Sequence, residues 1–210
     1  MSGNHGLEAL DLALKAAQET QLPLMVHISQ GAKTPDILKR LRTGDILTHC
    51  FQGRGNGILT EPLGDLLPST IEARQRGVLF DVGHGCGSFS WETARRGFEC
   101  HFYPDTISTD LHRFSVDRFA ETLPTTLSKF LHLGMSLEEV IAKSTWKPAQ
   151  AIGRLDQLGT LKKNSIADVL IFEIETGEFK FEDTHMQVEM GEKRIKPYLV
   201  LKEGKVIQPG

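Results

Sequence analysis

Four polar residues recur at intervals that suit a shared chemical site. His27 follows the apolar run LMV, His49 ends DILTH, His84 lies in DVGHG and Asp110 ends TISTD, at spacings of 22, 35 and 26 residues. Neutral imidazoles and carboxylates are ligands that suit Zn²⁺ and similar divalent ions. A single histidine after a buried strand is more often a packed, hydrogen-bonded side chain. The metal interpretation therefore depends on the set and not on one member.

The segments around these residues alternate between strand and helix patterns. Short apolar runs predict parallel strands at LMVHI, DILTHC, VLFDVGHG and TISTD. Helical patterns occur in the opening residues, capped by Ser2 or Asn4, and in TPDILKRLRTG, LGDLLPSTIEARQRG, SFSWETARRGF, VDRFAETLPTTLSKFLHLG and SLEEVIAKSTWKPAQAIG. Parallel strands present their carboxyl ends on one face of a sheet, which is where α/β proteins hold their sites. We therefore expect the four polar residues to converge.

The pattern changes after Gly153. ADVLIFEI, EFKFED, KPYLVLKEG and KVIQPG read as four short strands separated by glycine and turn residues. This part of the chain is predicted to be a small β unit without helices.

Composition and charge argue against several classes of partner. The chain has 210 residues, of which 40% are hydrophobic and 24% charged, with a formal net charge of −3 and no basic run. Nucleic acid and anionic membrane are therefore not expected partners. No apolar run approaches the roughly 20 residues of a membrane span. Three cysteines without a CxxC pair favour a reducing, cytoplasmic setting.

Other residues near the four receive a simpler interpretation. His5, His101, His132 and His185 are expected to be solvated or packed, and so is His112, although its place two residues after Asp110 allows contact with a substrate. Cys50 and Cys86 are interpreted as small packing residues. The clusters GRGNG at 53–57 and GHGCG at 83–87 do not match the dinucleotide fingerprint in its strand–turn–helix context. They predict loops that bend sharply and let a ligand approach the backbone.

The located stretches resemble the amidohydrolase superfamily, and within it the dihydroorotase-like and metal-dependent deacetylase branch. The resemblance is carried by LPLMVHI, GDILTHCFQG, GVLFDVGHG, TISTDLH and the tail STWKPAQAIG…LGTLKKNSIADVLIF. Asn164 stands where the family pattern has glycine, and asparagine also tolerates a left-handed turn. The resemblance covers essentially the whole chain but only the second half of a typical member.

The resemblance implies an α/β fold. Residues 1–152 would form the C-terminal half of a (β/α)₈ TIM-type barrel, strands five to eight with their helices, and residues 153–210 part of a small β-sandwich. By matching motif, His27 and His49 would bind one metal of a binuclear centre, with zinc the expected ion. Asp110 would bind the other metal and transfer the proton during hydrolysis of a small-molecule amide, cyclic amide or acetyl ester. His84 and Gly85 would contact the substrate.

Two features depart from the family pattern. No H-x-H occurs, and no lysine is placed to be the carboxylated bridging residue, because Lys15 is in mid-helix. A (β/α)₈ barrel also needs ~250 residues by itself. We therefore expect a truncated form that is inactive or impaired alone, completed by a missing N-terminal half or by another copy in a homo-oligomer.

Two alternatives stay open. One is a non-catalytic pseudoenzyme or assembly subunit of the same fold, and the other is a nucleotide-binding α/β protein that uses the GHGCG loop. Within the enzyme hypothesis, Arg54 is a candidate for holding a substrate carboxylate through a bidentate contact.

Overall fold

The computed structural model describes residues 6–28, 31–115 and 122–207, and within them helices and strands alternate as an α/β fold. The helices are α1 (Leu7–Thr20), α2 (Thr34–Arg40), α3 (Pro68–Gln75), α4 (Trp91–Glu99), α5 (Leu123–His132), α6 (Leu137–Ser144) and α7 (Trp146–Ala151). The strands are β1 (Met25–His27), β2 (Ile46–Thr48), β3 (Leu79–Phe80), β4 (Val169–Glu182), β5 (Val188–Lys202) and β6 (Lys205–Ile207).

The strands form two separate three-stranded sheets. The first has the order β1-β2-β3 and is parallel, with Met25 opposite Ile46 and Ile46 opposite Leu79. The second has the order β4-β5-β6 and is antiparallel. The helices α2 to α4 lie in the connections after the parallel strands, as βα units require. The predicted α/β class is confirmed.

Local sequence signals explain several helix boundaries. Ser136 accepts a hydrogen bond from the amide of Glu139, and the Glu139 carboxylate accepts one from the amide of Ser136, which is the capping box that the spacing of these two residues predicts. Ser90 caps α4 through the amide of Thr93. Helix α1 buries Leu10 and Ala17 on one side, as its periodicity predicts. Its cap is the backbone at Gly6, and the predicted caps Ser2 and Asn4 lie outside the described residues.

The core is built from aromatic side chains contributed by both sheets and the helices. Phe51 packs edge-on against Phe102 at 6.2 Å, and Phe130 of α5 lies 6.2 Å from Phe51. Phe181 of β4 and Ile195 of β5 belong to the same buried cluster. The antiparallel sheet therefore shares its core with the parallel one.

The structure corrects three details of the predicted elements. The segment TISTD does not form a regular strand. Thr106 makes one parallel bridge with Asp81. The amides of His84 and Gly85 then donate hydrogen bonds to carbonyl oxygens of the 105–109 segment, which lies beside β3. The tail has three strands and not four, because a register shift between Thr176 and Phe179 lets pairing continue past Gly177. Helix α2 ends at Arg40, before the predicted end at Gly44.

A buried carboxylate joins the ends of the parallel strands. Asp81, which is 1% exposed, follows β3. Its Oδ2 accepts hydrogen bonds from the hydroxyls of Thr48 and Ser108, both at 2.7 Å, and its Oδ1 accepts one from Thr106 at 2.6 Å. A buried charge is tolerated when hydrogen bonds replace its hydration. Asp81 thus connects β2, β3 and the 105–109 segment on the side where the candidate residues lie.

No helix in the described ranges is long and apolar enough to cross a membrane.

The Asp81 contacts generate a prediction about stability. Asp81→Ala leaves the buried hydroxyls of Thr48 and Thr106 and the half-buried hydroxyl of Ser108 without their charged acceptor, and we expect the free energy of unfolding to fall by about 3 kcal/mol or more. Urea denaturation followed by circular dichroism measures this. The control is Asp65→Ala, whose carboxylate is 86% exposed and pairs with Arg96, and which should cost less than about 1 kcal/mol. Equal losses in the two variants would contradict the role given to Asp81.

Candidate functional site

Three of the predicted residues lie together at the carboxyl end of the parallel sheet. The rings of His27 and His49 meet edge to face, with centroids 4.5 Å apart. The Oδ2 atom of Asp110 lies 4.0 Å from Nε2 of His49. The three residues come from β1, from the position after β2 and from the end of the 105–109 segment, so their proximity follows from the parallel arrangement.

His49 is held in one orientation by a backbone hydrogen bond. Its Nδ1 lies 2.6 Å from the carbonyl oxygen of Gly83. Because a carbonyl oxygen can only accept, Nδ1 carries the proton and Nε2 faces the Asp110 side. A second partner that fixes the tautomer in this way is characteristic of histidines that bind metals through the other nitrogen. His49 is also 4% exposed and has a left-handed φ of 66°, so the surrounding structure determines its conformation.

Two glycines of the GHGCG loop make room for these side chains. A Cβ atom at Gly83 would clash with Oγ1 of Thr48 and lie 2.7 Å from Nδ1 of His49, and a Cβ at Gly85 would lie 2.9 Å from Oδ2 of Asp110. Both glycines have a positive φ, so the loop bends sharply as predicted. The space beside their backbone is filled by the protein's own side chains. On the side to which a Cβ would project, a ligand that approached either glycine would therefore meet Thr48, His49 or Asp110.

His27 combines an accessible position with a preference for the neutral ring. It ends β1, which is an edge strand among the described residues, and it lines a cavity of ≈ 600 Å³ along that edge. Partial burial and the neighbouring His49 lower the pKa of His27, and Asp110 opposes this shift. A neutral imidazole keeps a lone pair for a ligand bond.

The donor set fits a divalent metal in kind but not in number. Two imidazoles and a carboxylate are zinc-type ligands, and a protein zinc site usually has about four ligands. In the described ranges, no three His, Cys, Asp or Glu side chains are close enough together to hold one ion. The rings of His27 and His49 are neighbours, and Oδ2 of Asp110 lies 4.0 Å from Nε2 of His49. Complete coordination would need donors in addition to these three.

The His84 side chain points away from this group. It is fully buried, with its Nε2 2.8 Å from the ammonium of Lys129 and its ring stacked on Phe89 at 4.7 Å. Burial, followed by the charge of Lys129, lowers the pKa of His84 to about 3. A buried neutral ring with these partners offers no surface to a substrate. The sequence prediction of a substrate contact can apply only to the backbone of its loop.

Arg54 and His112 occupy the surroundings of the site. Arg54 is exposed and its guanidinium lies over Gly87, where a Cβ atom would be 2.9 Å from Nη2. It lines an open cavity of ≈ 910 Å³ between the loops that follow β1 and β2. The recorded contacts of His112 are local, since its Nδ1 accepts from the amide of Phe114 and its own amide donates to Ser115.

Cys50 behaves as the packing residue that the sequence suggests. Its side chain is fully buried, and burial raises the pKa of its thiol well above the usual value, with Asp81 adding to the shift. A thiol that stays protonated is a poor nucleophile.

Sequence reasoning missed two buried groups that support the site. The sequence indicates Asp81 only as part of a strand and Lys129 only as part of a helix pattern. A polar residue within an apolar strand, DVG after VLF, was the available signal for Asp81. No periodicity distinguishes Lys129, because residues 126–130 of α5 are all buried.

Comparison with known proteins places the chain in a family. The sequence model of the amidohydrolase family matches residues 4–207. A protein named deacetylase from Enterococcus faecalis is 34% identical over 207 residues, which are 97% of this chain and 56% of that protein. Another deacetylase, from Brucella anthropi, is 32% identical over 94% of this chain and 49% of its own length. The chain thus spans about half the length of the curated relatives it matches.

Solved structures agree with the sequence comparison. The crystal structure of an adenine deaminase matches with a TM-score of 0.93 and 33% identity, covering 99% of this chain and 57% of that chain. The crystal structure of a dihydroorotase matches with a TM-score of 0.84 and 29% identity, covering 98% of this chain and 53% of that chain. The resemblance seen in the sequence motifs is therefore confirmed, and the chain belongs to the amidohydrolase family.

Proposed function

We propose that this chain is part of a metal-dependent hydrolase of carbon–nitrogen bonds, acting on a small-molecule cyclic amide or N-acetyl compound. His27 and His49 would hold one divalent ion, with zinc best matched to the donors, and Asp110 would contribute to a second ion. The observation that carries the proposal is the meeting of the two rings beside Asp110, with His49 already oriented by Gly83. The deacetylase names of the relatives support the reaction class.

Asp110 would be the residue that moves the proton. Its side chain is 50% exposed, so water reaches it, and it lies 4.0 Å from His49. Hydrolysis adds a water oxygen to the carbonyl carbon, breaks the C–N bond and requires a proton at the leaving nitrogen. Asp110 would accept the proton of the attacking water and deliver it to that nitrogen. When bound, the divalent ion would lower the pKa of water toward ~7 and polarise the substrate carbonyl.

The surrounding loops would select the substrate. The open cavity beside Arg54 has a volume of ≈ 910 Å³, within the range of small-molecule sites, and His27, His49 and Asp110 lie outside its lining. Arg54 would form a bidentate contact with a substrate carboxylate, and the Gly85 backbone and His112 would line the same side. Dihydroorotate and an N-acetyl amino acid, which each carry a carboxylate and a cleavable C–N bond, both fit this description.

We further propose that the parallel sheet is half of a (β/α)₈ barrel. Residues 1–152 would form the barrel part and residues 153–210 a portion of a β-sandwich. Supporting this, β1 lies at the edge of its sheet within the described residues, with Met25 54% exposed. The incomplete donor set points in the same direction. The chain alone is expected to be inactive or impaired until an N-terminal half or another subunit supplies the remaining donors.

A non-catalytic role is the second candidate. It is favoured by the absence of an H-x-H from the sequence and by the lack of a three-donor cluster in the described ranges. The presence of His27, His49 and Asp110 together favours the enzyme. Metal binding separates the two candidates.

The metal proposal predicts a specific loss of binding. We expect the purified chain to bind Co²⁺ or Zn²⁺, and the double variant His27→Ala, His49→Ala to lose that binding because both imidazole ligands are gone. Isothermal titration and elemental analysis measure the effect. The matched control removes two other imidazoles, through His101→Asn and His185→Ala, and should bind as the parent does. Unchanged affinity in the His27, His49 variant would remove the metal centre and favour the non-catalytic role.

The fit of Gly83 predicts a second effect on metal binding. Gly83→Ala places a methyl group against Thr48 and Nδ1 of His49, so the ring loses its orientation and metal affinity should fall by about 10–100-fold. Gly134→Ala is the control, because Gly134 also has a positive φ of 96° but nothing lies within 4 Å of the added Cβ. If both variants lose metal affinity to the same extent, backbone strain and not the contact with His49 explains the loss. If neither variant loses affinity, the contact does not matter for metal binding.

The open edge of β1 predicts self-association. An unpaired apolar strand is a template for pairing with another chain, so the parent should show concentration-dependent association in light scattering coupled to size exclusion. Met25→Lys should increase the monomer fraction. Leu161→Lys is the control, since Leu161 is 84% exposed and belongs to no described strand. Equal monomer fractions in all three proteins would count against an open edge.

A further inference from the structure

A buried lysine lies between the site loop and the antiparallel sheet. Lys129 of α5 has 0% exposure. Its ammonium donates a hydrogen bond to Nε2 of His84 at 2.8 Å and another to the carbonyl oxygen of Glu182 at 2.6 Å. Burying an ammonium group is costly unless it is hydrogen-bonded, and an apolar side chain would fill this position at lower cost. The presence of a lysine here therefore indicates that its partners require a hydrogen-bond donor.

The first partner belongs to the loop that supports the candidate site. His84 lies between Gly83, whose carbonyl oxygen holds Nδ1 of His49, and Gly85, which faces the Asp110 carboxylate. The amides of His84 and Gly85 also bond to the 105–109 segment. A displacement of His84 would therefore reach both site residues.

The His84 ring is fixed on all sides. Because the lysine donates to Nε2, the neutral ring carries its proton on Nδ1, which donates to the carbonyl oxygen of Gly85 at 3.1 Å. Phe89 stacks on the ring with an interplanar angle of 19°. Rotation of the ring would break the bonds at both nitrogens.

The second partner belongs to the β4–β5 hairpin. Glu182 ends β4, and the carboxylate of the next residue, Asp183, accepts from the amide of Trp91 at 3.0 Å. The indole of Trp91 donates to the carbonyl oxygen of Phe181 at 3.2 Å. The hairpin is thus anchored to the start of α4 immediately beside the lysine.

We propose that Lys129 is a positioning residue: through His84 it fixes the Gly83–Gly85 loop, and with it the His49 ring, relative to the β4–β5 hairpin. The consequence for metal binding rests on the proposed function, whereas the positioning of His49 does not. The hairpin is then a support of the site and not only an appended unit.

The test compares two substitutions in the full 210-residue chain. Lys129→Met removes the hydrogen bonds to His84 and Glu182 while it keeps a side chain of similar length. Ser128→Ala is the control, because the Ser128 hydroxyl, also buried in α5, accepts from the amide of Ile195 in the same hairpin but does not touch His84. His84→Leu removes the acceptor from the other side and serves if Lys129→Met does not fold.

Two readouts separate positioning from a general loss of stability. In the metal-free chain, we expect faster exchange of the His49 Nδ1 proton and of the Gly85 amide by about 10-fold in Lys129→Met and His84→Leu, measured by NMR, with no change in Ser128→Ala. Co²⁺ affinity, measured by titration of its visible absorption, should fall by about 10–100-fold in the same two variants. The Co²⁺ affinity of the Lys129→Met, His84→Leu double variant should be no lower than that of either single variant, since both substitutions break the same Lys129–His84 hydrogen bond.

The outcomes are distinguishable from those of the proposed function. If the parent chain binds no Co²⁺ but the His49 proton exchanges faster in Lys129→Met, the metal proposal fails and the positioning role stands. If His49 and Gly85 are unchanged in a folded Lys129→Met, or in His84→Leu when the lysine variant is unfolded, the positioning role is overturned.

Discussion

The arrangement of the site depends on the buried carboxylate of Asp81. It accepts hydrogen bonds from three hydroxyls in two neighbouring segments: Thr48 at the end of β2, and Thr106 and Ser108 in the segment beside β3. His49 immediately follows Thr48, and Asp110 follows Ser108 by two residues. A carboxylate can accept several hydrogen bonds, and its burial makes each of them costly to lose. One charge therefore fixes the relative positions of the strand ends from which the candidate residues project.

Four residues around the candidate site have a left-handed backbone conformation. His49 and Asp110 have φ values of 66° and 46°, and Gly83 and Gly85, which pack against them, also have positive φ. For residues with a Cβ this region is unfavourable, so the surrounding contacts must hold it. The Asp81 hydrogen bonds on one side and the Lys129–His84 pair on the other are those contacts. His49 and Asp110 thus place two of the chain's left-handed residues at the carboxyl end of the sheet, where a rigid orientation of ligands is useful.

The sequence predicts the parts of this structure that follow from periodicity and short motifs. The α/β class, the capping box at Ser136 and the left-handed turn tolerated at Asn164, observed with a φ of 72°, are of this kind. Convergence of His27, His49 and Asp110 follows from parallel strands. The orientation of the His84 side chain does not follow from parallel strands. The left-handed conformations of Gly83 and Gly85 decide whether a ring at the end of this strand faces the cavity or the core. The length of the β4–β5 hairpin was also hidden, since Gly177 and Gly191 read as turns although pairing continues through both regions.

The open edge of the sheet and the incomplete donor set lie on the same side of the molecule. His27 is the last residue of β1, and β1 is the edge strand of the described parallel sheet. A further strand paired with β1 in parallel would run about 4.8 Å away and would end beside His27. Any polar residue at its carboxyl end would then reach the space in front of the two rings. Pairing at this edge would thus also complete the ligand set. A strand that formed hydrogen bonds with the backbone of β1 would then determine which metal chemistry the site supports.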